Sequence, residues 1–185
     1  RDLSLRKLRS LIGFVPQKAV LFSGNIESNI KYLDESLEDN TMKKAAQIAE
    51  AEEFILSKDK KYKTPISEYG SNVSGGQKQR LSIARALVGS PNILLFDDSF
   101  SALDYKTDFK VRENIHKNLT NKTVVIVAQR IATILHADKI IVLDKGEVVG
   151  VGTHEELLKK NKIYKEIAES QLSKEELTTG GKNEK

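Results

Sequence analysis

The segment Ser74-Gly75-Gly76-Gln77 stands immediately before a stretch of helical periodicity, and its residue types suit the binding of an anion. Two successive glycines let a ligand come close to the backbone, because neither carries a side chain. The N-terminus of a helix presents unpaired N–H groups and about half a positive charge, which favours a terminal phosphate. The Ser74 hydroxyl adds a further donor. Taken alone, however, a Ser-Gly-Gly sequence is more often a plain loop that ends in an N-cap.

A pair of carboxylates and a separate amide side chain each follow an apolar run. Asp97 and Asp98 come directly after the apolar residues 93–96, and Gln129 follows the apolar residues 124–128. Polar groups at the carboxyl end of a buried parallel strand lie where α/β sheets bind ligands, and one such Asp can hold Mg²⁺ in phosphoryl transfer. We expect Asp98 to face the attacking water. Paired acids at this position are equally typical of a solvated turn.

These side chains need a sheet and helices to position them, and the hydrophobic periodicity predicts both. The predicted strands span residues 12–15, 92–96, 123–128 and 139–143. The predicted helices span residues 41–56, 74–88 and 104–119, with a polar loop at 58–69, a turn at 145–147 and a capping box at 153–156 that begins a short helix. Continuous apolar strands that alternate with helices favour an α/β fold with a parallel sheet covered on both faces.

Composition argues against several classes of protein. The chain has 185 residues and a net charge of +4. The excess lies in the first 18 residues, which hold Arg1, Arg6, Lys7, Arg9 and Lys18 against Asp2. Because the remainder is neutral, this basic arm is more commonly a solvated helix face than a nucleic-acid contact. The absence of cysteine and the wide spacing of the histidines argue against disulfides and a dedicated metal cage. No apolar run approaches the ~18 residues that a membrane helix needs.

Five motifs occur in an order that carries more information than any of them alone. They are FVPQ at 14–17, VSGGQKQR at 73–80, LLFDD at 94–98, SALD at 101–104 and VAQR at 127–130. This order closely resembles the nucleotide-binding domain of ATP-binding cassette (ABC) transporters, over the chain up to about residue 170. The segments VLFSGNI at 20–26, EYG at 68–70 and GTHEEL at 152–157 resemble the exporter branch, which moves drugs or lipids.

The resemblance implies a P-loop NTPase-like parallel sheet flanked by helices, with an inserted α-helical subdomain that carries the signature motif. It implies ATP and Mg²⁺ as cofactors and a second nucleotide-binding domain as partner.

The resemblance also implies roles for individual residues. The signature motif, which contacts the ATP held by the opposite subunit, would consist of Ser74, Gly75, Gly76 and Gln77. Asp97 would be the Walker B aspartate that holds Mg²⁺, and Gln17 would sense both the metal and the hydrolytic water. Asp104 would end the D-loop that crosses the dimer interface at the nucleotide. The regions of Gln17 and Glu68 would contact coupling helices of a transmembrane domain.

Three departures from the family pattern stand beside this intact signature. The 185 residues contain no Gly-x-x-x-x-Gly-Lys-Ser/Thr phosphate loop. Asp98 replaces the usual catalytic glutamate and is one methylene shorter, a withdrawal of ~1.5 Å. Gln129 replaces the switch histidine and stays neutral at pH 7. Asp98 and Gln129 together imply the degenerate half of a heterodimeric exporter, in which one composite site hydrolyses ATP and the other mainly binds it.

For the domain organisation, we expect a nucleotide-binding domain fragment over residues 1–172 and a polar, flexible tail over 173–185. The helical subdomain would span about 25–90, and the catalytic core about 1–24 and 91–172. Because the chain begins with Arg1 and lacks a phosphate loop, we expect a piece of a longer polypeptide, without its N-terminal lobe. The isolated piece is predicted to be inactive.

The leading functional hypothesis is an ATP-hydrolysing subunit of an exporter, at the cytoplasmic face of the cell membrane as part of an integral membrane transporter, without nucleic acid. One alternative is a soluble ABC ATPase that acts on nucleic acid or ribosomes. The short separation of Gln17 and Ser74, without sustained heptads, argues against a chromosome-type coiled-coil insertion. The other alternative is a non-catalytic remnant or binding module produced by truncation.

Overall fold

The computed structural model describes residues 2–173 and residue 177, and the chain divides into two compact units between Val127 and Ala128. The strands of the first unit are β1 Ile12–Val15, β2 Gly24–Asn25, β3 Pro65–Ile66, β4 Ile93–Asp97 and β5 Thr123–Val127. Its helices are α1 Leu5–Ser10, α2 Ile26–Ile30, α3 Asp39–Ile48, α4 Glu52–Leu56, α5 Gly75–Val88 and α6 Tyr105–Asn118. The predicted domain over 1–172 and its subdivision stay predictions.

A parallel sheet of three strands, in the order β1-β4-β5, confirms the predicted α/β fold. Leu95 in the central strand lies opposite Phe14 on one side and Val125 on the other. Leu94 and Phe96 point into a core shared with side chains of α5 and α6. The expectation that both faces are covered is met on this face only, because Phe14 and Val125 on the other face are about half exposed among the described residues.

The predicted helix over 41–56 is wrong in its continuity, since the structure breaks it into α3 and α4. Glu50 adopts a left-handed conformation with φ +53°. The Ala51 N–H donates to the Ala46 carbonyl over 2.8 Å, and the Glu50 N–H donates to the Gln47 carbonyl over 3.0 Å. This is the Schellman arrangement that ends helices, usually with glycine at the left-handed position. A glutamate there gives no local signal of the break.

The predicted loop over 58–69 contains more order than its polar composition indicates. It includes single 3₁₀ turns at Lys61–Lys63 and Glu68–Gly70, and β3 lies between them. β3 pairs antiparallel with β2, with Gly24 opposite Ile66. Tyr62 and Ile66 are buried in the core of the first unit, which explains why this polar stretch is held in place.

The described residues of the second unit form a hairpin and three helices. Its elements are α7 Ile131–Ile134, β6 Ile140–Asp144, β7 Glu147–Gly152, α8 His154–Lys160 and α9 Lys162–Gln171. The prediction that residues 139–143 form a further parallel strand is wrong, because β6 pairs antiparallel with β7. The turn between them has positive φ at Lys145 (+50°) and Gly146 (+84°), the conformation that suits a two-residue hairpin. The predicted capping box at Thr153 and Glu156 is confirmed.

Two remaining expectations concern the end of the chain and the membrane. Most of the predicted tail over 173–185 lies outside the described residues; within it, the Leu177 N–H donates to the Ser173 carbonyl over 3.0 Å. Across the part of the chain that the structure describes, no helix combines the length and the apolar character that crossing a bilayer requires.

Candidate functional site

The Ser74–Gln77 segment begins α5 through a reciprocal pair of hydrogen bonds. The Gln77 N–H donates to the Ser74 hydroxyl over 3.2 Å, and the Ser74 N–H donates to Oε1 of Gln77 over 3.1 Å. Ser74 and Gly75 are exposed, and a Cβ built on Gly75 would meet no atom within 4 Å. The chain's own packing therefore does not require glycine at position 75. The first turn is held from within, and the space beside Gly75 is open to a ligand.

The loop between β4 and α6 packs beside this first turn. The Ala102 carbonyl oxygen lies 3.7 Å from a Cβ built on Gly76, and the neighbouring Leu103 side chain is buried. Asp104 caps α6, accepting the Thr107 N–H on Oδ1 over 3.0 Å. Hydrogen bonds from the Thr107 side chain and backbone hold the pKa of Asp104 below its ordinary value. The structure thus brings the predicted signature and D-loop segments together.

Asp97 and Asp98 follow β4 as predicted, and they differ in conformation. Asp97 is the last residue of the strand and is exposed. Asp98 takes φ +44°, a conformation that few residues other than glycine adopt. Its N–H donates to the Val127 carbonyl over 2.9 Å, and its carbonyl accepts the Ser101 hydroxyl over 2.7 Å. These bonds hold the backbone at Asp98 in its strained conformation.

Gln17 reaches the Asp98 carboxylate across the sheet edge. Gln17 follows β1, which pairs with β4, and its Nε2 donates to Oδ2 of Asp98 over 3.1 Å. The sequence places these residues 81 positions apart, and parallel pairing brings them into contact. The fold therefore brings Gln17 and Asp98 into contact.

The oxygen atoms at this edge are of the type that binds a magnesium ion, but they are too few to complete its coordination shell. The Asp97 carboxylate and the Gln17 amide oxygen are the hard ligands that Mg²⁺ takes, and Mg²⁺ commonly completes its octahedron with waters and substrate phosphate. Among residues 2–173 and 177, no three His, Asp or Glu side chains gather closely enough to form a metal cage. The donors present fit a metal ion that arrives with a nucleotide.

Gln79 is a buried polar residue that the sequence analysis did not single out. Its side chain is almost fully buried, and Nε2 donates to the Pro16 carbonyl over 3.3 Å, which links α5 to the residue before Gln17. A glutamine beside apolar helical positions could have signalled this contact, because a buried amide must find a partner.

Gln129 lies in the second unit, at its start, and its side chain is exposed. The Gln129 carbonyl accepts Nε2 of Gln171 over 2.9 Å, and the Ile131 N–H donates to Oε1 of Gln171 over 2.8 Å. Gln171 near the end of α9 thus holds the backbone on both sides of residue 130. The sequence contains no local signal for this role of Gln171.

Glu68 lies in an ordered turn with its side chain exposed. The next residue, Tyr69, has φ +55° and is 73% exposed, whereas Gly70 is buried with φ +65°. At this φ a Cβ on residue 70 would be strained, and it would lie 3.2 Å from Leu21 Cδ1, so that neighbouring side chains would have to shift by a few tenths of an ångström. The turn presents Glu68 and Tyr69 outward.

An exposed aromatic patch, formed by Phe22, Tyr32 and Leu33, was not predicted as a site. The Phe22 and Tyr32 rings stack at 4.3 Å, and the Arg85 guanidinium lies 5.0 Å from the Phe22 ring centroid. Arg85 is fixed by Asn29, whose backbone and side-chain oxygens accept its Nε and Nη2 over 2.7 and 2.8 Å. The members are 41%, 53% and 75% exposed in that order, although they are large and apolar.

Comparison with protein families finds a match to the family described as ABC transporter over residues 1–101. The chain is 45% identical over 175 residues to an ABC transporter ATP-binding protein of Bacillus subtilis, YfiB, and covers 30% of that protein. It is 42% identical over 167 residues to the leukotoxin export ATP-binding protein LtxB of Aggregatibacter actinomycetemcomitans, and covers 24% of it. These alignments include 95% and 90% of this chain.

A solved structure with a similar fold is that of a bacterial Atm1-family ABC exporter with ATP bound. The TM-score is 0.85 at 37% identity, and the similarity covers 89% of this chain and 29% of that one. The chain spans about 30% or less of the length of these relatives.

Proposed function

Because the chain belongs to the ABC transporter family, we propose that it is an ATP-binding part of an exporter, and that it supplies an intact signature segment to a partner's ATP site. This is a family of ATPases, which implies ATP and Mg²⁺ binding in general, and its members similar to this chain include exporters. The division of labour between two unequal sites is the finer part of the proposal.

One observation carries the proposal: the first turn of α5 is capped from within and open on the outside. Ser74 and Gln77 accept hydrogen bonds from each other's N–H groups, so the segment does not need a ligand to hold its conformation. A Cβ built on Gly75 would meet no atom within 4 Å, so there is open space beside this first turn. In a closed dimer, such a turn binds a terminal phosphate and stabilises the charge that develops on it during hydrolysis.

At the edge of its own sheet, the chain provides a weakened version of the hydrolytic machinery. Asp97 would hold Mg²⁺, which when bound neutralises charge on the phosphate oxygens. Gln17 orients the Asp98 carboxylate through its 3.1 Å hydrogen bond. Asp98 would orient the attacking water, but its carboxylate is ~1.5 Å shorter in reach than a glutamate, and a ~1 Å misplacement can cost ~10²-fold in rate. Gln129, which cannot carry a proton, would weaken the same reaction.

The exposed aromatic patch indicates that this domain binds a partner through an apolar surface. Large apolar side chains that are held rigidly in the open mark interaction surfaces. We assign the aromatic patch, with the outward turn at Glu68 and the region of Gln17, to the cytoplasmic segments of a transmembrane domain. On this assignment, the domain would lie at the cytoplasmic face of a membrane.

The signature assignment is tested by Ser74→Arg in the full-length transporter, purified with its partner. An arginine at this position fills the space where phosphate meets the helix N–H groups, so steady-state phosphate release should fall at least ~10²-fold. Ser74→Thr keeps the hydroxyl cap and should retain most of the activity. Asp98→Asn should cost much less than Ser74→Arg, because its site is already slow. Equal losses for Ser74→Arg and Asp98→Asn would contradict the assignment of unequal sites.

Heterodimer formation is tested separately by native mass spectrometry of the transporter purified through a tag on this chain. We expect a 1:1 complex with a second ABC protein whose sequence has glutamate and histidine where this chain has Asp98 and Gln129. A homodimer of this chain would contradict the proposal.

A further inference from the structure

Three helical segments of the first unit are connected through one residue, Glu50, which follows the C-cap of α3. Glu50 is one of the few non-glycine residues with positive φ among those described, at +53°. Such a conformation costs free energy for a side chain with a Cβ, so other contacts must hold it. Besides the two hydrogen bonds that return from this turn to α3, such contacts come from α5 and α6.

The contact from α5 is made by Arg80, in the turn that follows the signature segment. Arg80 Nη1 donates to the Glu50 carbonyl over 2.6 Å, and Nε donates to the Gly76 carbonyl over 3.4 Å. The guanidinium also lies 4.8 Å from the centre of the Phe54 ring in α4. One side chain therefore connects the carbonyl of a signature glycine to the turn between α3 and α4.

The contact from α6 is made by Asn114. Its Nδ2 donates to Oε1 of Glu50 over 2.7 Å, and Lys110 Nζ lies 3.8 Å from Oε2. The carbonyl of Glu50 thus accepts a hydrogen bond from α5, and its carboxylate accepts one from α6. Asp104, the residue that ends the D-loop, caps α6, so Glu50 connects the helices that follow the two segments assigned to the dimer interface.

We propose that Arg80, Glu50 and Asn114 form a positioning cluster that fixes the signature segment relative to the D-loop, and thereby sets the rate at which the partner's site hydrolyses ATP. This inference rests on the proposed function. None of the three residues needs to touch the nucleotide. Arg80 acts on Gly76 directly, and Glu50 and Asn114 hold Arg80's acceptor in place.

The chemistry of the cluster explains why arginine occupies position 80. A guanidinium carries several donors in a rigid planar fork and stacks on an aromatic ring, whereas a lysine ammonium is a single point on a flexible stem. Only the fork can bond Glu50 and Gly76 while resting on Phe54. A shift of ~1 Å in a group that positions reacting atoms can cost ~10²-fold in rate, so a small displacement of the first turn of α5 is sufficient to slow hydrolysis.

The first test is Arg80→Met in the full-length transporter with its partner. Methionine keeps an apolar chain over Phe54 and removes both hydrogen bonds. We expect kcat for ATP to fall about tenfold with KM within about twofold, because the interaction matters most in the closed, reacting dimer. Arg80→Lys should recover little of this loss. Wild-type kcat in either variant would overturn the proposal.

The second test is a double-mutant cycle with Ser74→Ala, which removes the cap of the same turn. If Arg80 acts through the signature turn, Arg80→Met should cost less than about threefold in kcat in the Ser74→Ala background. Fully additive losses would show that Arg80 acts elsewhere and would overturn the proposal.

Arg112→Met is a matched control for loss of stability. Arg112 lies on α6 and pairs within that helix with the buried Asp108, Nε to Oδ1 over 2.8 Å. We expect this variant to lower the Tm at least as much as Arg80→Met while kcat stays within about twofold of wild type. An equal loss of kcat in both variants would overturn the positioning role.

The outcome for Ser74→Arg separates this inference from the proposed function. If Ser74→Arg leaves hydrolysis intact, the signature assignment itself has failed. If Ser74→Arg abolishes hydrolysis and Arg80→Met does not slow it, only the positioning cluster is wrong.

Discussion

The two longest helices of the first unit, α5 and α6, begin near each other and are capped in opposite ways. Ser74 caps α5 with a neutral hydroxyl, and the first turn of that helix contains no acidic residue. Asp104 caps α6 with a carboxylate, and Asp108 follows in the first turn. Both helices have 14 residues, so their macrodipoles are similar. The positive end of α6 is neutralised by its own chain, whereas the first turn of α5 has no acidic residue, and we propose that it binds an anion from outside.

The difference shows why an N-cap alone does not identify a binding site. Ser-x-x-Gln and Asp-x-x-Thr are both good N-cap sequences and stabilise their helices to a similar extent. The start of α5 differs in two ways: it has no negatively charged side chain in its cap or first turn, and there is open space beside Gly75. Changing the charge of one cap at a time therefore tests the comparison, without removing either cap.

The largest effect is expected when α5 is given the cap of α6, in Ser74→Asp. Aspartate caps as well as serine, so the fold should be retained, but its carboxylate occupies and repels the position of the phosphate. ATP hydrolysis by the full-length transporter with its partner should fall ~10²-fold or more, with the Tm within ~2 °C of wild type. Steady-state phosphate release and thermal unfolding measure the two quantities.

Ser74→Asn separates charge from geometry in the same experiment, because asparagine is the neutral counterpart of aspartate and also a strong N-cap. Its hydrolysis should exceed that of Ser74→Asp by at least about tenfold. If the two variants were equally slow, the shape of the Ser74 side chain would matter more than charge, and the contrast between α5 and α6 would not explain function.

Features specified by neighbouring residues could be predicted from the sequence. The caps at Ser74 and Thr153 are confirmed, because an N-cap needs only a hydroxyl or carboxylate and the N–H groups two or three positions on. β1 and β4 are confirmed to within one residue, since a buried parallel strand is a continuous apolar run.

Features that depend on distant partners could not be predicted. The predicted helix breaks at Glu50, which Arg80 and Asn114 bond from other helices, and no neighbouring residue marks the break. β6 has the apolar run of a parallel strand, but the hairpin turn at Gly146 pairs it with β7. The contact of Gln17 with Asp98 follows from strand pairing, and the roles assigned to the signature and Walker B residues stay predictions.

A second, smaller effect concerns the Asp97–Asp98 edge, which we propose to be weakened, in contrast to the α5 turn. Asp98→Glu restores the longer carboxylate side chain, and Gln129→His restores a titratable ring. Together they should raise the rate of hydrolysis about tenfold, and by more than the product of the single effects. The assay is single-turnover hydrolysis with the partner's catalytic glutamate disabled. If the double variant stays as slow as its parent, these two residues do not cause the weakness.

The smallest effect is expected when α6 is given the cap of α5, in Asp104→Ser. Serine keeps the hydrogen bond to Thr107 and removes the charge, so hydrolysis should change by less than about fivefold, far less than in Ser74→Asp.

The clearer measurement is the pH dependence of the stability of the first turn of α6. The folded-state pKa of Asp104 lies below its ordinary value of 3.8, because Thr107 bonds its charged form. Its stabilising contribution is therefore complete well above pH 3.8 and is lost as the pH falls through the folded-state pKa. In hydrogen exchange of the purified transporter, corrected for intrinsic rates, protection at the start of α6 should decrease between pH 5 and pH 3 in the wild type by more than in Asp104→Ser. Protection at the start of α5, capped by the neutral Ser74, should lack this component. If Asp104→Ser shows the same decrease at α6 as the wild type, the negative charge at position 104 does not stabilise that helix, and the two N-termini differ only in the space around them.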